Sequence, residues 1–257
     1  MEQIRRKKKT EINGNALRTW ATLFLAAGVI GRGVIQAHVL GVGKISTQQL
    51  LELMSVSKDM MTMTTLSLVL QALETCALPI FAVFLIEGVQ HTSDFKAYFL
   101  RVLGLAALTE MPYNLAMGAK LMVMESRNPV FALVVCMALL FFYRQYSQKG
   151  MQNTLIKAMV TVAALVWCEM LKVDFGAAMV IVTSVMWATR SNTLYRNFAG
   201  ASAAIVCTTI SPFFLASPMT FLVIHMHNGE KSTTSRKINY VAYPAMLLAA
   251  ALLGMVI

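Results

Sequence analysis

Three residues, Glu87, His91 and Arg101, have the types and spacing to do chemistry. A carboxylate or an imidazole can take a proton from a hydroxyl or an amine, and a guanidinium can hold a phosphate. The group reads in two ways. It is either a base with phosphate-binding cations, or an interfacial arrangement in which Glu87 pairs with a basic residue and positions the turn Gln90-His91-Thr92-Ser93-Asp94. Glu110 and Asn114 form a second constellation, because residues four apart share one helix face. They either line a cavity or bond neighbouring helices. Glu169 reads most simply as the partner of Lys172.

Other chemistries find less to work with. His225-x-His227 has the wrong spacing for a ligand pair on a helix, and no HExxH or His-rich cluster accompanies it, so no metal site is expected. The four cysteines (Cys76, Cys136, Cys168, Cys207) sit in apolar runs without CxxC spacing and read as packed thiols. No nucleophile elbow and no Gly-rich phosphate loop occurs.

The elements that must position these groups belong to a membrane protein. The chain has 257 residues, 57% hydrophobic and only 13% charged, with mean hydropathy +0.63. A soluble domain carries about a quarter charged residues. The net charge of +10 sits in short loops between apolar runs, a topological pattern that argues against a nucleic-acid partner. Residues 1–16 are a basic cytoplasmic tail around Arg5-Arg6-Lys7-Lys8-Lys9, suited to anionic headgroups, and 17–257 form a single transmembrane domain.

The expected architecture is an all-α polytopic bundle of about nine membrane segments with the N-terminus inside. The first segment covers about 17–40 and is interrupted at Gly31-Arg32-Gly33. An amphipathic piece with Ser46 as N-cap leads to a long second segment, about 60–88, kinked near Pro79. The third covers about 98–117 and the fourth 129–143. The fifth covers 154–171 and the sixth 175–189. The seventh covers 198–216 with Pro212 inside it, the eighth ends near His227, and the ninth covers 240–257. Nine crossings place most lysines and arginines on one side. That side is the cytoplasmic one by the positive-inside rule. Ser93 and Gln148 then face the cytoplasm, and Lys120 and Ile257 lie outside.

An ordered set of motifs runs along this frame. Pro79-Ile80-Phe81, Glu87-Gly88, His91-Thr92, Tyr98, Arg101 and Pro112-Tyr113-Asn114 come first. Asn128 with Phe131, Gly176, Asn228-Gly229-Glu230, and Tyr240 with Tyr243-Pro244 follow. Together they resemble the TraX family, named for a plasmid protein required for N-acetylation of pilin. The family is similar to membrane-embedded acyltransferases. The resemblance therefore implies acyl transfer from cytosolic acyl-CoA to a protein or envelope acceptor at the cytoplasmic membrane, with no bound cofactor. On that reading Glu87, His91 and Asn114 are the catalytic candidates, and Arg101, Glu110 and Asn128 bind substrate. Where the family usually carries Asp-His, this chain has Gly28-Val29; where it carries arginine, Thr75; and its Tyr-Pro-x-His is Tyr243-Pro244-Ala245-Met246. A catalytically degenerate scaffold and a small-solute transporter remain the alternative readings.

The missing charges lead to a specific expectation. Arg32 lies ~22 Å of helix rise from the inner end of the first segment, and Glu74 ~21 Å from the inner end of the second. At equal depth on antiparallel neighbours, the two are expected to form a structural ion pair, with the charges of positions 28 and 75 exchanged in sign.

Overall fold

Residues 77–86 are apolar on every face, and a helix that is hydrophobic all round belongs inside a bundle. In the computed structural model, which describes residues 12–42, 47–118, 126–227 and 236–256, that stretch is the central post. The helices are α1 (Gly14–Gly28), continued by a π-helical stretch (Val29–Val39), α2 (Thr47–Val56), α3 (Lys58–Thr75) and α4 (Ala77–His91). Next come α5 (Phe95–Gly118), α6 (Val130–Gln145), α7 (Met151–Met170) and α8 (Gly176–Ala188). The chain closes with α9 (Thr193–Val206), a 3-10 stretch (Pro212–Met219), α10 (Thr220–His225) and α11 (Arg236–Val256). Around α4 stand α1, α3, α6, α8 and α10. Ile80, Val83, Ile86 and Val89 are fully enclosed there. α11 closes the far side against α5 and the π-helical stretch. Among the described residues the β contacts are two isolated bridges, Ile12–His227 and Arg127–Val173. The protein is an all-α bundle.

Large apolar side chains such as Leu108, Met159, Phe198, Leu222 and Leu252 cover its outside, as a bilayer requires. Three helical stretches are long and apolar enough to cross a membrane: Gly14–Val39, Lys58–His91 and Met151–Met170. Val130–Gln145, Gly176–Ala188, Pro212–His225 and Tyr240–Val256 are shorter apolar helices. The expected count of nine crossings is not established by these lengths.

The second segment is kinked as expected: Cys76, itself in helical backbone, interrupts the pattern for one residue between α3 and α4, and Lys58–His91 continues as one helical stretch. Pro79 is the cause, since its ring clashes with the carbonyl of Thr75 and it offers no N–H. The seventh does not run through Pro212. α9 ends at Val206, a 3-10 turn follows, and Pro212–His225 returns as a second short arm. The 14 residues of α9 rise only ~21 Å, less than a bilayer core of ~30 Å. Hydroxyl and thiol groups take up the carbonyls freed at these breaks. Thr75 Oγ1 donates to Phe213 O at 3.0 Å, Thr220 Oγ1 to Cys76 O at 3.0 Å, and Cys76 Sγ to Ala216 O at 3.3 Å.

The first segment is not interrupted at its glycines. It winds as a π-helix from Val29 to Val39. Gly31 lets α3 approach there: a Cβ on it would stand 2.9 Å from Leu70 Cβ and 3.0 Å from Ser67 O. Ser67 Oγ donates to Gly31 O at 2.8 Å. The basic tail, Ser46, Lys120, Asn228-Gly229-Glu230 and Ile257 lie outside the described residues.

The contact at Gly31 sets a test. Gly31→Ala is expected to lower stability by about 1–3 kcal/mol in detergent melts. Gly104→Ala, whose Cβ meets nothing within 4 Å, is expected to be neutral or to stabilise by up to ~1 kcal/mol.

Candidate functional site

Arg32 lies deep in the first segment, and the structure gives it two carboxylates. Its Nη2 donates to Glu74 Oε1 at 2.6 Å, and its Nη1 donates to Asp174 Oδ2. Tyr113 Oη donates to the same Asp174 oxygen at 2.5 Å. The Phe175 ring lies under the guanidinium, 4.9 Å from carbon to centroid. Tyr243 of α11 is buried within electrostatic reach of Tyr113, Glu74, Arg32 and Asp174. The π-helical stretch, α3, α5, α11 and the turn before α8 therefore meet at one polar point.

Position 28 explains how Glu74 fits. A Cβ on Gly28 would stand 2.0 Å from the Glu74 carboxyl carbon and 2.3 Å from Oε2. The carboxylate occupies the space of the side chain that is absent at 28. Arg32, one turn further along, supplies the opposing charge. Glu74 Oε2 is buried without a hydrogen-bond partner.

Asp174 was absent from the candidates read from sequence. It arrives on a tight turn in which Lys172 (φ 51) and Phe175 (φ 57) both adopt left-handed backbone, an uncommon and costly state for residues with a side chain. Arg127 clamps this turn, donating to Lys172 O at 2.9 Å and accepting from Asp174 N at 3.0 Å. The available signal was weak: a lone acidic residue beside the matched Gly176. Glu169 makes no ion pair with Lys172 among the described residues; it lines the same cavity as Asp174.

That cavity measures about 280 Å³ and is bordered by Arg32, Gln71, Glu74, Glu169, Asp174 and Ser211. Three carboxylates face one guanidinium, so its lining is acidic. It also lies where irregular backbone converges: the π-helical stretch, the α3–α4 break, and the segment around Ser211. Non-helical backbone at membrane depth is tolerated where it is enclosed by protein or lines a wet cavity.

The sequence-derived candidates separate into two groups. Toward the C-terminal end of α5, Glu110 Oε2 accepts from Asn128 N at 3.1 Å, and Arg127 Nη1 lies 3.6 Å from Glu110 Oε1. Asn128, fully buried, donates to Thr109 Oγ1 and accepts from Val130 N at 2.9 Å. Asn114 is buried in α5 one residue beyond Tyr113. Glu110 thus braces Arg127 and Asn128, and Arg127 holds the turn that carries Asp174. At the other end, Glu87 is partly buried, whereas His91 and Arg101 are exposed. His91 Nδ1 donates to Glu87 O at 2.8 Å, and Arg101 Nε donates to Ala97 O at 3.1 Å. About 18 Å of helix rise separates Arg101 from Tyr113, so the two groups lie at different levels of the bundle.

Removal of Arg32 alone leaves two carboxylates buried without their counterion. Arg32→Met is expected to cost about 3–5 kcal/mol. The variant combining Arg32→Met, Glu74→Gln and Asp174→Asn is expected to lose less than the sum of the single effects. Denaturation in detergent across this cycle measures the coupling.

The comparisons with known proteins bear on the whole chain. No match is found among curated proteins, and none among solved structures. One family model does match, described as TraX protein, over residues 47–255. That span covers well over half of the chain, including α2 to α11 and the residues that carry Glu74, Tyr113, Asp174 and Tyr243. Apolar helices of membrane-crossing length accompany it, and the chain is a membrane protein that belongs to the TraX family.

Proposed function

We propose that this TraX-family protein transfers an acyl group from acyl-CoA to an amine acceptor seated in the cavity at Arg32, Glu74 and Asp174. The observation that carries the reading is the cavity itself, an acidic space of about 280 Å³ within an apolar bundle. Polar groups at that depth are costly and are retained where function uses them. Net negative lining suits an ammonium group, the resting form of an amine.

Acyl transfer needs a base, a donor for the developing oxyanion, and a hold on the donor's phosphates. The seated ammonium first gives one proton to solvent; Asp174, the more exposed of the two paired carboxylates, then takes a second as the neutral amine attacks the thioester carbonyl. The C–N bond forms, the C–S bond breaks, and the proton passes to the departing thiolate. Tyr113 holds Asp174 in place. A guanidinium has five N–H donors, so Arg32 retains donors beyond its two carboxylate bonds for the oxyanion. Glu110, Asn114 and Asn128 keep the turn and α5 in register.

On the inner face Arg101 and His91, with Arg18 and Arg196, receive the CoA phosphates, and Glu87 orders them. Supporting this, Glu87 lies within electrostatic reach of both Arg18 and Arg196, and none of these arginines forms a salt bridge among the described residues. The protein then lies in the cytoplasmic membrane with its N-terminus inside.

A second reading, a non-catalytic membrane partner, draws support from the same cluster. Arg32, Glu74, Asp174 and Tyr113 also tie four elements together, a purely structural task.

Two measurements separate these readings. Under acyl transfer, Asp174→Asn and Tyr113→Phe lower acetyl transfer from acetyl-CoA by about 10²-fold or more, and Arg101→Ala with His91→Ala weakens acetyl-CoA binding at unchanged folding. Wild-type protein without acetyl-CoA binding supports the non-catalytic role. Orientation is tested by cysteine labelling in intact cells: Ser93→Cys and Gln148→Cys are expected to resist an impermeant reagent applied outside.

A further inference from the structure

The acidic cavity has an apolar neighbour. A slot of about 50 Å³ lies beside it, bordered by Leu25 and Phe81 on one side and by Ala132, Leu133 and Met179 on the other. Glu74 and Phe175 border both spaces. Leu25, Phe81 and Leu133 are only partly buried, so the slot approaches the apolar outside of the bundle. Glu74 is 3% exposed, and its Oε2 is buried without a hydrogen-bond partner. A buried carboxylate oxygen in that state is costly unless a donor reaches it. One side of the shared wall thus asks for a cationic donor, and the other offers contact for hydrocarbon.

We infer that the acceptor is an amphiphile: a primary ammonium head that engages Glu74 and Asp174, with a hydrocarbon stem that passes Phe175 into the slot. The inference rests on the cavity as the acceptor's seat and names the class of molecule that fills it. An apolar slot adds nothing to the binding of a fully hydrated amine, and an acidic cavity disfavours an anionic lipid. A membrane-resident amine satisfies both spaces at once. It also enters from the lipid side, where Leu25 of α1 and Leu133 of α6 form the rim.

Binding of n-alkylammonium ions, methyl through hexyl, to the purified full-length protein in detergent tests this. Affinity is expected to rise about fourfold per methylene over the first members and then level off. The matching n-alkanols are expected to bind more weakly at every length, for want of the ammonium. Leu133→Trp is expected to flatten the series while methylammonium binds as before. Leu25→Trp fills the slot from the opposite rim and serves if the first variant does not fold. A flat series in the unmodified protein overturns the inference. So does a series that stays steep in the tryptophan variants. Acetyl transfer to methylamine alongside a flat series would sink the amphiphile and leave acyl transfer standing; a steep series without transfer at any length would do the reverse.

Discussion

A guanidinium within an apolar bundle has to be neutralised, and the fold is arranged around that requirement. Arg32 carries a fixed positive charge, since arginine does not lose its proton in proteins. Its insertion cost is at least ~2.5 kcal/mol at the membrane centre. Glu74 and Asp174 meet the charge from different parts of the chain, Tyr113 secures Asp174, and Phe175 covers the guanidinium face. Each partner imposes a local condition in turn. Glu74 needs a glycine at 28, Asp174 needs the left-handed turn at 172 and 175, and that turn needs the Arg127 clamp. The polar residues at the C-terminal end of α5 brace the clamp.

The same cluster shows how irregular backbone is accommodated in this bundle. The regular α-helical ladder gives way at the π-helical stretch, at Cys76 and around Ser211. Ser67, Thr75, Cys76 and Thr220 supply the missing donors across helices. Gln71 extends the arrangement, donating to Gln36 Oε1 at 2.9 Å and to Ser67 Oγ at 3.0 Å.

Much of this was legible in the sequence, for reasons that can be named. Long apolar runs declare helices, and proline declares where they start or break. Rise per residue placed Arg32 and Glu74 at one depth before any contact was visible. Asp174 escaped because its partner is 142 residues away. Nothing in local spacing tells a loop acid that folds inward from one that faces water. The π-helical winding escaped for a related reason, since the glycines at 31 and 33 read equally as a break. The doubling-back of the chain after Val206 escaped because Pro212 reads as a kink within a longer rod. His91 and Arg101 were sound as a pair of polar groups on one end, but composition could not reveal that the enclosed acidic space lies near the other.

The sequence separations in the cluster bear on how the chain is made. Glu74 follows Arg32 by 42 residues, and Asp174 follows it by 142. During synthesis the first helical hairpin to emerge already contains a cation and an anion at matching depth. It can leave the insertion machinery as a neutral unit and hold its arginine in lipid without help from later segments. Asp174 comes only after α5, α6 and α7 have been made, and its arrival converts a closed pair into an acidic centre. The surplus negative charge thus follows the neutral pair, and the wall around Ser211 is added after it.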